Sequence, residues 1–158
     1  MKYIFLSFIS VMVHSEFKLS SPSFKEGEMI PKKYTCDGAN INPALSIENL
    51  PEGVKSLALI MDDPDAPNGT FDHWIMWNMP PKTTIAENSA RGLQGQNGRK
   101  ENKYTGPCPP SGTHHYYFKI YALDTELELK AGADKASLEE AMKGHILSSA
   151  ELIGLYKR

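Results

Sequence analysis

The stretch from Gly106 to Leu123 constrains this chain more than any other, because its two halves demand opposite kinds of backbone. Gly106–Gly112 carries three prolines and two glycines, which makes it bent, stiff and short of N–H donors. His114–Leu123 is aromatic and β-branched and predicts a strand of about ten residues. In a strand, His114, Tyr116, Phe118 and Ile120 share one face, and His115, Tyr117, Lys119 and Tyr121 share the other. The first face starts polar beside the loop and turns apolar away from it. A strand running from a pocket rim into a core has that pattern.

At 158 residues the chain suits one domain with a real core, taken here as residues 16–158. A formal net charge of −2 gives no reason to expect nucleic acid or an acidic membrane surface as a partner. Eleven prolines and twelve glycines argue for many turns and therefore for a β-rich fold. Residues 1–15 differ from the rest: Lys2 precedes the apolar run Tyr3–Val13, and Val13-His14-Ser15 offers a signal-peptidase site before Glu16. The run is too short to span a bilayer. The segment reads as a signal peptide, which would make the protein periplasmic or secreted. The other reading is a retained, buried N-terminal strand in a cytoplasmic protein. Cys36 and Cys108 each sit in a turn-rich loop. Export would allow them to pair and a reducing compartment would not.

Short strands are expected at Phe17–Leu19 and Leu45–Ile47. Ser56–Met61 is a continuous apolar run, the mark of a strand buried on both faces, and it stops abruptly at Asp62-Asp63-Pro64-Asp65-Ala66-Pro67. Phe71–Met79 alternates His73, Ile75 and Trp77 with Trp74, Met76 and Asn78, and Gly92–Gly112 is loop-rich. Ser137-Leu138-Glu139-Glu140 predicts a helix N-terminus capped by Ser137, with Gly144 as its stop. Ile146–Tyr156 fits helix and strand periods equally. Strands joined by short turns, with one late helix, predict a mainly antiparallel β domain.

Candidate chemistry gathers where strands meet loops: Asp62, Asp63 and Asp65, then His73, the pair His114/His115, and Tyr116. A carboxylate beside an imidazole raises the imidazole pKa, and an imidazolium with a tyrosine hydroxyl and loop N–H groups can hold an anion. Metal binding has suitable ligand types but no ligand spacing, and vicinal histidines in a strand point to opposite faces. A Cys108 nucleophile served by His73 and an aspartate is the other enzymatic reading, although no Gly-x-Ser-x-Gly is present. Arg99–Lys103 reads as a solvated loop that could also steer an anion toward Gly106–Gly112. Trp74, Trp77, Tyr117, Phe118 and Tyr121 read as packing, since no basic residues interleave with them as a stacking platform needs.

Asp63–Pro67 (D-P-D-A-P), Asp72–Trp74 (D-H-W) and Gly106–Phe118 (G-P-C-P-P-S-G-T-H-H-Y-Y-F) together resemble the phosphatidylethanolamine-binding proteins. Tyr34–Pro43 and Tyr121–Asp124 resemble the bacterial branch of that family, which also includes the Raf kinase inhibitor proteins. The resemblance implies two antiparallel sheets in a sandwich with Greek-key connections and a few peripheral helices, and a strand at Ile146–Tyr156. It implies a non-enzymatic pocket for phosphate, phosphorylated head groups such as phosphoethanolamine, or carboxylates, with no cofactor. By matching position its wall is Asp63, Asp65, Pro67, His73, the Pro107–Cys108 backbone, His114 and Tyr116. His115 stands where arginine is common in the family and is expected to face outward. Asp62 is expected to add a carboxylate beside the pocket and to weaken anion binding or make it more pH-dependent. Family members are linked to inhibition of kinases or proteases, and a homodimer stays open.

Overall fold

Ser56–Asp63 is buried along its whole length, so something must cover both of its faces, and the fold is arranged around that requirement. The computed structural model describes residues 15–158; apart from Ser15, the segment read as a signal peptide lies outside them. In chain order the elements are β1 (Lys18–Ser20), β2 (Leu45–Glu48), β3 (Ser56–Asp63), β4 (Phe71–Met79), β5 (Thr84–Ile85), β6 (Leu93–Gln94), β7 (Thr113–Leu123), α1 (Lys135–Met142) and β8 (Ile146–Lys157). Strands β1-β2-β5 form a small antiparallel sheet, and β6-β4-β3-β7-β8 form the main one.

Alternation divides β3 between two cores. Leu57, Leu59 and Met61 pack between the sheets with Leu19, Leu45, Ile47, Trp74, Tyr116 and Phe118. Ala58 and Ile60 pack on the opposite face with Ile75, Trp77, Leu127, Leu138 and Met142, beneath α1. The apolar run is doubly buried, and the architecture is mainly β and antiparallel, both as expected.

One local expectation is corrected, and one segment left open by its pattern takes the strand form that the resemblance implied. Helix α1 starts one turn earlier than the Ser137 box implied. Asp134 is the N-cap, its Oδ1 accepting from the Ser137 N–H at 2.9 Å. An aspartate three residues upstream supplies the same acceptor with a full charge at the dipole's positive end. Glu140 instead pairs with Lys143, and Gly144 follows the helix in a left-handed conformation (φ 77°), as a stop should. The period ambiguity of Ile146–Tyr156 is resolved as strand, because β7 offers it a register from Lys157 to Ile146. Gly154 is required there: a Cβ would sit 2.5 Å from Ile30 Cγ1 and 2.8 Å from Phe24 Cε2.

Cys36 and Cys108 form a disulfide with a Cα–Cα distance of 5.4 Å, across a sequence separation of 72. It ties the proline-rich loop to the turn after the 3-10 segment Lys32–Tyr34, where the Cys36 N–H also donates to the Pro107 carbonyl at 3.1 Å. Closing a loop of that length should stabilise the fold by about 4 kcal/mol on the chain-entropy account. The expected outcome of a Cys36→Ala/Cys108→Ala double substitution is a loss of roughly that size in urea unfolding; a change below about 1 kcal/mol would show that the link does not constrain the unfolded chain.

Candidate functional site

Antiparallel pairing brings the end of β3 beside the starts of β4 and β7: Asp63 is the Cα partner of Phe71, and Asp62 of Tyr117. Here the Asp63–Thr70 turn and the Arg99–Gly112 loop stand over the sheet and enclose a cavity of about 450 Å³. Of the residues expected in its wall, Asp63, Pro67, His73, Cys108 and His114 line it; Ala66, Thr70, Phe71, Arg99, Thr105, Pro109 and Pro110 also do so.

His73 reaches the cavity only because of a β-bulge. Met61 pairs with Trp74 while Asp62 pairs with Asp72, so His73 is an extra residue on β4. Strict alternation would put it with Ile75 and Trp77 under α1. The bulge returns it to the other side, with its ring edge-on to Tyr116 at 5.2 Å and to Phe71 at 4.8 Å. Its Nδ1–H donates to the Thr105 carbonyl at 2.7 Å, which fixes the tautomer and leaves Nε2 as an acceptor. Burial pushes the ring's pKa below the ordinary imidazole value; the Thr105 bond and the Asp63 carboxylate oppose the shift, and Arg99 adds to it. The expected imidazolium is thus corrected for His73, because desolvation outweighs the nearby carboxylate.

Asp63 is an organiser. Its Oδ1 accepts from the Asp65 N–H at 2.8 Å and its Oδ2 from His114 Nδ1–H at 2.7 Å. Each oxygen thus accepts one bond, and His114 presents its remaining nitrogen, Nε2, which has no partner among the described residues. Asp65 does not line the cavity. It turns outward, where its Oδ2 accepts from the His115 N–H at 2.8 Å and from His115 Nδ1–H at 2.7 Å; the side-chain bond is the main cause that lowers its pKa. His115 is exposed, on the outer face expected of it.

Pro107 is buried, its carbonyl accepts from the Cys36 N–H, and it does not line the cavity. Tyr116 is fully buried behind His73 rather than in the wall, and its hydroxyl has no hydrogen-bond partner among the described residues. Burial, with Asp63 nearby, raises its pKa well above the ordinary phenol value, while the Cys108 backbone acts in the opposite sense. The group therefore stays a donor.

Asp62 corrects another expectation. It lies on the far face of the sheet, 4% exposed, between Lys119 Nζ at 3.1 Å and Lys135 Nζ at 3.5 Å, and Lys135 also bonds Asp72 at 2.6 Å. Period-2 geometry separates adjacent aspartates, so the Asp62 charge is neutralised outside the cavity. Arg99 was legible only as part of a charged loop. It comes to the rim because buried Asn97 folds that loop, accepting from the Arg99 and Glu101 N–H groups and donating to the Lys103 carbonyl. Cys108 is half of the disulfide and has no thiol to ionise, which removes the basis of the cysteine-hydrolase reading.

A family model described as phosphatidylethanolamine-binding protein matches residues 20–157. A UPF0098 protein of Pyrococcus horikoshii is 52% identical over 149 residues, covering 87% of this chain and 75% of its own length. Among solved structures, a phosphatidylethanolamine-binding protein homologue of Chlamydia trachomatis has a TM-score of 0.88 at 43% identity, over 90% of this chain and 98% of that one. Escherichia coli YbcL, described as a member of the mammalian family, has a TM-score of 0.84 at 29% identity, over 91% and 99%. The chain belongs to the phosphatidylethanolamine-binding protein family. No helix of the described residues is long and apolar enough to cross a membrane.

Replacing Asp63 by Ala should leave the His114 Nδ1–H and the Asp65 N–H without their acceptor, at a cost of about 3 kcal/mol in chemical denaturation. A cost under about 1 kcal/mol would mean that the carboxylate does not organise this end of the sheet.

Proposed function

We propose that the protein is a non-enzymatic binder of a small organic anion, held by a phosphate group at the histidine end of the cavity. The observation that carries this reading is the pair His73 and His114. Both line one cavity, both commit Nδ1–H to a fixed acceptor, and both keep Nε2 without a partner among the described residues.

The state of His73 favours phosphate over carboxylate. A neutral ring whose Nε2 is an acceptor needs a ligand that brings a proton. A phosphomonoester monoanion has one on oxygen, with a second pKa of about 6, whereas a carboxylate needs a proton taken up from solution. The cavity, about 450 Å³, holds more than a phosphate. Phe71, Pro67, Pro109 and Pro110 give the remainder an apolar wall, suited to a carbon substituent.

Control of a partner kinase or protease, as the family likeness implies, would act through the cavity lip, the part of the surface a ligand touches. The disulfide suits an oxidising compartment, which export by the leader-like start would provide.

Calorimetric titration with ethyl phosphate and with propionate tests the reading. Because the bound state holds a proton between His73 and ligand, affinity should rise as pH falls. For ethyl phosphate the rise should level off below about pH 6, where the ligand is already a monoanion. For propionate it should continue to lower pH. Absence of saturable binding at millimolar ligand, with the fold intact, would reject the proposal.

A further inference from the structure

We propose that the Cys36–Cys108 disulfide is a site of thiol–disulfide exchange that controls the cavity: a dithiol that opens it leaves Cys108 as a thiolate beside Arg158, and the new charge weakens anion binding. The proposal rests on the anion-binding reading above and adds its regulation.

The two sulfurs are not equivalent. Arg158 and Gly112 exchange backbone hydrogen bonds in both directions, at 2.8 and 3.3 Å, and Arg158 Nη1 lies 3.5 Å from Cys108 Sγ. Cys36 is followed by Asp37, whose Oδ2 accepts from the Tyr156 hydroxyl at 2.8 Å and pairs with Arg158 Nε at 3.3 Å. A guanidinium favours a thiolate and a carboxylate disfavours one, so Cys108 is the better leaving group. Both cysteines are half-buried, so neither is sealed from a small thiol. One thiolate of the dithiol bonds to Cys36 Sγ as the S–S bond breaks, and Cys108 Sγ leaves with the electron pair. The second thiolate of the reductant then displaces Cys36 and closes the reductant's own disulfide. Two electrons pass to the protein. Of the dithiol's two protons, Cys36 takes one and solvent the other.

The lip outlasts the link. The Gly106 N–H donates to Asn40 Oδ1 at 2.7 Å, the Cys36 N–H to the Pro107 carbonyl at 3.1 Å, and Gly112 keeps its two bonds with Arg158. What reduction adds is a negative charge on a residue of the cavity wall. Arg158, Asp37 and Tyr156 face Cys108 on the side of the disulfide, and Tyr116 meets its backbone. Asp63, His73, His114 and Arg99 share its wall. All of these are present in both redox states, so the ratio of dissociation constants, reduced over oxidised, isolates the cysteines. Repulsion between a thiolate and an anion across a partly solvated cavity amounts to roughly a three- to tenfold loss of affinity at low salt, and it shrinks as salt screens it. By linkage, a bound anion makes reduction less favourable by the same factor.

Calorimetry with ethyl phosphate at low ionic strength compares the oxidised protein with protein reduced by dithiothreitol, from about pH 6 to about pH 9, with circular dichroism as the check on the fold. The ratio should be close to one at the acid end and rise to about three- to tenfold as Cys108 ionises. Arg158→Gln should move that rise to higher pH. Cys36→Ala/Cys108→Ala, which lacks both link and thiol, should bind as the oxidised protein does. If the double variant does not fold, the pH course of the reduced protein still decides, since a lost tether has no reason to follow thiol ionisation. Peptide mapping after exposure to glutathione should find the mixed disulfide on Cys36. A ratio that stays at one across the range, an equal loss in the double variant, glutathione on Cys108, or loss of the fold on reduction would overturn the proposal while leaving the anion site standing. If the oxidised protein binds no ethyl phosphate, the anion-binding reading and this proposal fall together.

Discussion

One extra residue in β4 decides which side of the sheet His73 occupies. Because the side-chain period of a strand is two, a slip of one position sends a residue to the opposite face. The bulge opposite Met61 and Asp62 uses that rule to place both His73 and Trp74 on the inter-sheet side. Trp74 then packs in the core and His73 reaches the cavity. The outer face records the same event: Asp62 and Asp72 become direct cross-strand partners. Two like charges in that position repel, and Lys135, the first residue of α1, is the cation that bridges them. Helix docking on one face and the position of a cavity histidine on the other are thus joined through the ends of β3 and β4.

The buried ionisable groups at the cavity answer to the cost of burial. A carboxylate taken out of water needs each oxygen bonded, and Asp63 meets that need by fixing His114 and the turn that begins at Pro64. An imidazole taken out of water is disfavoured as a cation, and His73 stays neutral on the Thr105 carbonyl. These solutions leave His73 and His114 in the cavity wall with Arg99 beside them. Such a surface offers hydrogen-bond geometry more than net charge, in keeping with a chain whose overall charge is only −2.

Much of the architecture was legible in residue pattern. The doubly buried run of β3, the inward face of His114, Tyr116, Phe118 and Ile120, and the outward turn of His115 follow from period-2 alternation with apolar and polar residues in register. Where the reading failed, a local rule met a competitor. Ser137 satisfies a capping box, but Asp134 offers the same acceptor one turn earlier. Asp65 lies in the same short motif as Asp63, yet a two-residue step through Pro64 turns it toward His115. Arg99 looked like any solvated charge, because the force that brings it to the rim is a single buried asparagine, Asn97.

The sequence by itself determined which segments are strands, which faces are apolar, and that polar residues collect where three strand ends meet loops. Those properties depend on neighbours a few positions away, and short-range sterics and hydrophobic alternation are enough to set them. Tertiary structure alone decided that His73 shares a wall with His114, that Asp62 is neutralised on the far side of the sheet, that Cys36 and Cys108 pair, and that Arg99 lines the cavity. Each of these depends on a register or an approach between segments tens of residues apart. Alternation cannot encode such relations, because a single inserted residue reverses them at no cost to the local pattern.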